Sequence, residues 1–169
     1  MRRARWAVAG MVALTLAVGA GANALDDNLV ATGWHTTLRG EEGSDELVGN
    51  FQVHVHGATA SPRLDDVEVA SLGSFVLVDL SYATTDAWST PEEVVLIDGE
   101  GREYTEPRGF GSVGGTWAAG PDIWFRGVLL FEVPSDVVGD LSLEFRPENP
   151  DPQRPGVVLR VPLTVTTTD

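Results

Sequence analysis

From residue 50 onward, apolar side chains recur at every second position, and no helical pattern intervenes. A period of two is the signature of a strand with one buried face. Phe51, Val53 and Val55 alternate with Gln52, His54 and His56. Val76, Val78, Leu80 and Tyr82 alternate with Leu77, Asp79 and Ser81. Residues 94–97 and 102–104 flank Asp98-Gly99-Glu100-Gly101. That is a hairpin signal, because Gly supplies the positive φ that tight turns need. Residues 124–133 carry Leu129, Phe131 and Val133 on one side, and Leu141, Leu143 and Phe145 alternate with Ser142 and Glu144. Val157, Leu159, Val161, Leu163 and Val165 form the cleanest stripe. Pro162 falls on its other side. Proline lacks the N–H of a central ladder, so this last strand is expected at an edge or with a bulge.

Seven or eight short strands without helices between them predict an all-β domain. Their apolar stripes need an opposing sheet, which a two-sheet sandwich supplies. Residues 135–140 suit one helical turn as a connector. The Pro-rich stretch at Pro147, Pro150, Pro152 and Pro155 reads as a stiff loop.

Ahead of this domain lies a different signal. Residues 6–25 hold no charge and are almost wholly apolar, after Arg2, Arg3 and Arg5 and before Asp26 and Asp27. At ~1.5 Å per residue, a helix of that length reaches across a hydrocarbon layer of about 30 Å. An N-terminal apolar helix, with the Arg cluster on the cytoplasmic side, is therefore expected to anchor the chain. The alternative is a secretory signal, with Ala22-Asn23-Ala24 as the small-residue cleavage site and release before Leu25. Either way the rest of the chain is expected outside the cytoplasm. Residues 1–25 read as membrane anchor or signal peptide. Residues 26–49, rich in Asp, Glu and Gly, read as a polar acidic stalk with one short strand around residues 29–38. Residues 50–166 read as the sandwich.

Composition narrows the function. The chain has no Cys, which removes thiol catalysis, thiolate metal sites and redox work. About 145 residues follow the apolar run, enough for a core that needs no disulfide staples. The net charge is −14, and all 11 basic residues are Arg. With three of those ahead of the apolar run, the remainder carries −17. Such a surface repels nucleic-acid phosphates and anionic lipid, so no nucleic-acid partner is expected. The absence of Lys fits GC-rich codon usage and an actinobacterial type of source.

Three strand patterns carry a resemblance. They are residues 73–82 (Gly-Ser-Phe-Val-Leu-Val-Asp-Leu-Ser-Tyr), residues 95–104 (Val-Leu-Ile-Asp-Gly-Glu-Gly-Arg-Glu-Tyr), and residues 126–134 (Arg-Gly-Val-Leu-Leu-Phe-Glu-Val-Pro). Over roughly residues 50–166 the chain resembles an exported bacterial immunoglobulin-like family of unknown function, similar to a secreted mycobacterial immunoglobulin-like antigen family. The resemblance implies a Cys-free immunoglobulin-like sandwich outside the cell and no catalytic residues. The Gly-rich, Trp-containing stretch 109–121 departs from it.

Candidate sites are few. His54 and His56 put two imidazoles on one strand face, a spacing compatible with two metal ligands. A solvated strand face is the plainer reading, since no third ligand is placed nearby. Asp65, Asp66 and Glu68 could offer oxygens to Ca²⁺, but no Ca²⁺-binding loop surrounds them. Gly109, Gly111 and Gly114 match a dinucleotide fingerprint in spacing, yet no helix follows to receive phosphate. No strand–nucleophile–helix elbow is present. Trp88, Trp117 and Trp124 are the best recognition candidates, because aromatics on sandwich loops anchor partners or stack on sugars. Trp88 and Trp117 are expected to be the partner-binding residues. The expectation is a non-enzymatic envelope module that uses no cofactor and contacts an envelope protein or glycan. An envelope hydrolase with dispersed carboxylates and a divalent-cation binder are the alternatives.

Overall fold

The computed structural model describes residues 35–64, 69–86, 91, 93–106, 119–147 and 155–168. The apolar run and the first part of the expected stalk, residues 26–34, lie outside them. Among the described residues no helix is long and apolar enough to cross a membrane.

The described part is all-β. Ten strands form two sheets: β1 (His35–Arg39), β2 (Asp45–Val48), β3 (Phe51–Leu64), β4 (Val69–Thr84), β5 (Glu93–Asp98), β6 (Glu103–Tyr104), β7 (Phe125–Val133), β8 (Leu141–Arg146), β9 (Gly156–Pro162) and β10 (Val165–Thr167). A single 3-10 turn, Ser135–Val137, follows Pro134 and fulfils the expected connector. The first sheet runs β1-β9-β8-β5-β6; the second runs β10-β3-β4-β7, with β2 also on β3. β2–β3, β3–β4, β4–β7, β5–β6, β5–β8 and β8–β9 pair antiparallel, whereas β10 lies parallel to β3.

The stripes read from the sequence meet between the sheets. Phe51, Val53, Val76, Val78, Leu80 and Phe131 of the second sheet share one core with Leu96, Leu143, Phe145, Leu159 and Val161 of the first. Burial of this apolar area is the main force that holds the two layers together.

Among the described residues, eight of the ten strands, β3 to β10, lie from residue 51 onward, in line with the seven or eight expected there. Two expectations need correction. Residues 35–48 do not form a stalk: β1 lies beside β9, and β2 pairs with β3 in register Asp45↔His54 to Val48↔Phe51. The sandwich therefore takes in residues 35–48 as well. The stripe from Val157 to Val165 is not one strand. β9 lies inside the first sheet, between β1 and β8, and ends at Pro162. The chain then crosses to the second sheet as β10. Pro162 stands opposite Ser142 in a pair that needs no N–H toward β8, and Leu163 beyond it still donates its N–H to Leu141 O at 2.9 Å.

β3 also breaks its own alternation. Val55 pairs with Leu80, but Gly57 pairs with Asp79, so His56 is an extra residue in a β-bulge. Gly57 has φ +155°, a conformation that side chains beyond glycine rarely adopt. Burial resumes out of step at Ala58 and Ala60.

Part of the outer face of the first sheet is buried too. Val95, Ile97 and Val158 are almost fully covered there, and Glu144 is completely so. Arg160 donates to Glu144 Oε2 through Nε (2.8 Å) and Nη2 (2.6 Å), and Arg146 donates Nε–H to Oε1 at 2.9 Å. Arg146 also reaches Glu93 at 2.7 Å and pairs with Glu103. Burial alone would lower the pKa of Arg146, but bonds to Glu103, Glu93 and Glu144 reverse this and keep it charged.

Candidate functional site

The exposed half of the second sheet gathers polar side chains in one row. Asp45, His54, Ser81 and Arg126 stand opposite one another across β2, β3, β4 and β7. Alternation turns them outward because Val53, Val55, Leu80 and Tyr82 turn inward. His54 Nδ1 lies 2.7 Å from Asp45 Oδ1. A carboxylate only accepts, so Nδ1 carries the proton. His56, at the bulge, places Nε2 2.7 Å from Ser81 Oγ. The two imidazole centroids are 4.5 Å apart, with a 43° tilt. Arg126 closes the row. It donates Nε–H to Asp79 Oδ1 at 2.9 Å and a second bond through Nη2. The bond from Arg126 holds the Asp79 carboxyl below its ordinary range against the opposing effect of burial, aided by the charges of Arg126 and His56.

This row contains Asp, His and Ser but not their catalytic relay. A serine nucleophile needs a base whose other nitrogen is oriented by the acid. Here Asp45 orients His54, whereas Ser81 is bonded to His56. Among the described residues, no group of three or more His or acidic side chains could hold a metal ion.

An apolar cluster adjoins the row. Leu47 pairs with Gln52 and is 55% exposed. Gln52 donates to Asp122 Oδ1 at 3.3 Å. Asp122 belongs to the turn Gly120-Pro121-Asp122-Ile123, closed by Ile123 N–H on Gly120 O at 3.1 Å. Its φ of +54° follows a proline at the preceding corner, as in a type II turn. That turn presents Ile123 and Trp124, 67% and 42% exposed, whereas Phe125 stands opposite the inward-facing Tyr82, with ring centroids 5.8 Å apart. Ile123 and Trp124, with Leu47 across Gln52, form a small exposed apolar patch.

Of the tryptophans expected to recognise partners, the structure places Trp124 in this patch. Trp88 and Trp117 lie outside the described residues, as do Asp65, Asp66, Glu68 and the Gly-rich stretch. The Asp45 partner of His54 could not be read from sequence, because β2 is short and half acidic. The signal for the Ile123 corner was Gly-Pro-Asp before a strand.

The outer face of the first sheet has an open depression of about 360 Å³, with Thr37, Arg39, Asp98, Asp140, Ser142 and Arg160 in its lining. Its buried carboxylate, Asp98, is fully engaged. Oδ1 accepts the backbone N–H groups of Glu100 and Arg102 at 2.9 Å each. Oδ2 accepts Arg102 Nε–H at 2.6 Å and the Tyr104 hydroxyl at 2.8 Å. Burial alone would raise the Asp98 pKa; these four bonds overcome it and lower the value to about 2. Such a group stays ionised near neutrality and does not serve as a general acid.

No protein-family model and no curated protein sequence matches the chain. Among solved structures, the yjhA protein from Bacillus subtilis is similar, with a TM-score of 0.51 and 16% identity. The match covers 73% of this chain and 99% of that one. The ycdA protein from Bacillus subtilis strain 168 gives a TM-score of 0.48 at 18% identity, over 72% of this chain and 38% of that one. The likeness to yjhA is one of fold.

Proposed function

We propose that this chain is a non-enzymatic interaction module of the cell envelope. It is an immunoglobulin-like sandwich, held outside the cytoplasmic membrane by its N-terminal apolar run. The observation that carries this reading is the patch of Leu47, Ile123 and Trp124 beside the Gln52–His54–Ser81 face. Exposed aromatics next to hydrogen-bonding side chains on an open sheet face suit a broad partner, an envelope protein or glycan. The split of Asp45 and Ser81 between two imidazoles favours binding over hydrolysis, and so does the full engagement of Asp98.

In a chain shortened by residues 1–25, so that the apolar run does not hold it, Trp124→Ala combined with Ile123→Ser is expected to reduce retention on isolated envelope at least tenfold. The variant should melt at the wild-type temperature, because both side chains are exposed. Equal retention of variant and wild type in a co-sedimentation assay would discard this surface.

A further inference from the structure

We propose that His54 and His56 form a two-imidazole chelate for a borderline divalent transition-metal ion, Cu²⁺ more strongly than Zn²⁺. The inference does not rest on the partner-binding reading, since it needs no macromolecule. Each ring has one nitrogen committed to an oxygen partner: His54 Nδ1 to Asp45 and His56 Nε2 to Ser81, both at 2.7 Å. The nitrogens left over are His54 Nε2 and His56 Nδ1. Metal-binding histidines are held in this way, with the outer nitrogen bonded to a carboxylate or other oxygen that fixes the tautomer and makes the ligand more basic. Asp45 forces the proton onto Nδ1 of His54 and leaves a lone pair on Nε2. Ser81 can accept the Nε2 proton of His56 and free its Nδ1 in the same manner. The rings already lie side by side, with centroids 4.5 Å apart. An ion seated between the rings would be held by these two nitrogens.

The two-residue spacing puts both rings on the exposed face of β3. The register shift falls at the second of them, His56, ahead of Gly57 at φ +155°. Two neutral nitrogens favour Cu²⁺ and Zn²⁺ over Ca²⁺ and Mg²⁺, which want many oxygens. Water would fill the remaining positions, since no third protein ligand converges among the described residues.

Titration of the full-length chain in detergent with CuCl₂, followed by calorimetry and pulsed EPR, tests the site. The expected result is one Cu²⁺ with two imidazole ligands. His54→Ala and His56→Ala should each weaken binding at least tenfold. Asp45→Asn should weaken it about tenfold without changing the number of ligands, the low end for an outer partner. His35→Ala should have no effect, and a hundredfold excess of Ca²⁺ should not displace the ion. Wild-type affinity in the His54→Ala/His56→Ala double variant would overturn the proposal, as would an EPR signal without two imidazoles. All the histidine variants should keep the wild-type melting temperature without metal.

Discussion

Glu144→Ala is expected to cost the domain about 3 kcal/mol of unfolding free energy, measured by denaturant titration. Glu144 is completely buried, yet both of its oxygens are engaged: Oε1 by Arg146 and Oε2 by Arg160. Breaking a buried pair by removing one partner usually costs about 3–5 kcal/mol, because a charge is left uncompensated. The low end applies here. Arg160 keeps 40% of its side chain exposed and Arg146 keeps 23%, so water and the other acids recover part of the loss. Arg146 also retains Glu93 and Glu103. In an Arg160→Met background the same substitution should cost less, because the two residues act as a unit. Additive losses would show that the cross-strand pair carries no coupling.

The second large effect concerns Asp98. Asp98→Ala is expected to lower the melting midpoint by several degrees. It should also remove an acid-sensitive part of the stability. The side chain organises the β5–β6 hairpin, where Gly101 (φ +82°) donates its N–H to Asp98 O at 3.0 Å and Asp98 N–H bonds Arg102 O at 3.1 Å. Its folded pKa of about 2 lies below the ordinary carboxyl value of about 3.9. A depressed pKa contributes stability that is fully present above the unfolded value and lost as protons bind the folded form. The loss should therefore fall between about pH 4 and pH 2. Asp98→Asn should flatten the stability profile in that window. A profile identical to wild type there would contradict the four-bond account of this carboxylate.

The sandwich core was legible residue by residue. Every apolar position named in the stripes of β3, β4, β7 and β8 is buried. Local alternation reports which face is covered, and those faces all meet in one core. The rest depended on long-range pairing. β2 is four residues long and half acidic, so its place on β3 leaves no periodic trace. Pro162 read as the mark of an edge or a bulge, whereas it ends an inner strand, and alternation continues through the crossing and hides that the chain changes sheets. Glu144 read as exposed because it alternates with Leu143 and Phe145. The contrary signal lay in the unbroken apolar run of residues 94–97, since consecutive apolar residues mean two covered faces. The imidazole pair was legible as a spacing only. Its oxygen partners come from β2 and β4, and the bulge at His56 shows only in the register.

The chain has no cysteine, so one introduced thiol reports on one place. Gln52→Cys, which leaves Trp124 and Ile123 in place, is labelled on intact cells with a membrane-impermeant benzophenone maleimide and then irradiated; it tests the binding face and its location together. Thr37→Cys, on the exposed outer side of the first sheet, is the control. The expected result is labelling at both positions before lysis and an envelope adduct from position 52 alone. Labelling only after lysis, or equal adducts from both positions, would contradict an extracytoplasmic module that binds through the Trp124 patch.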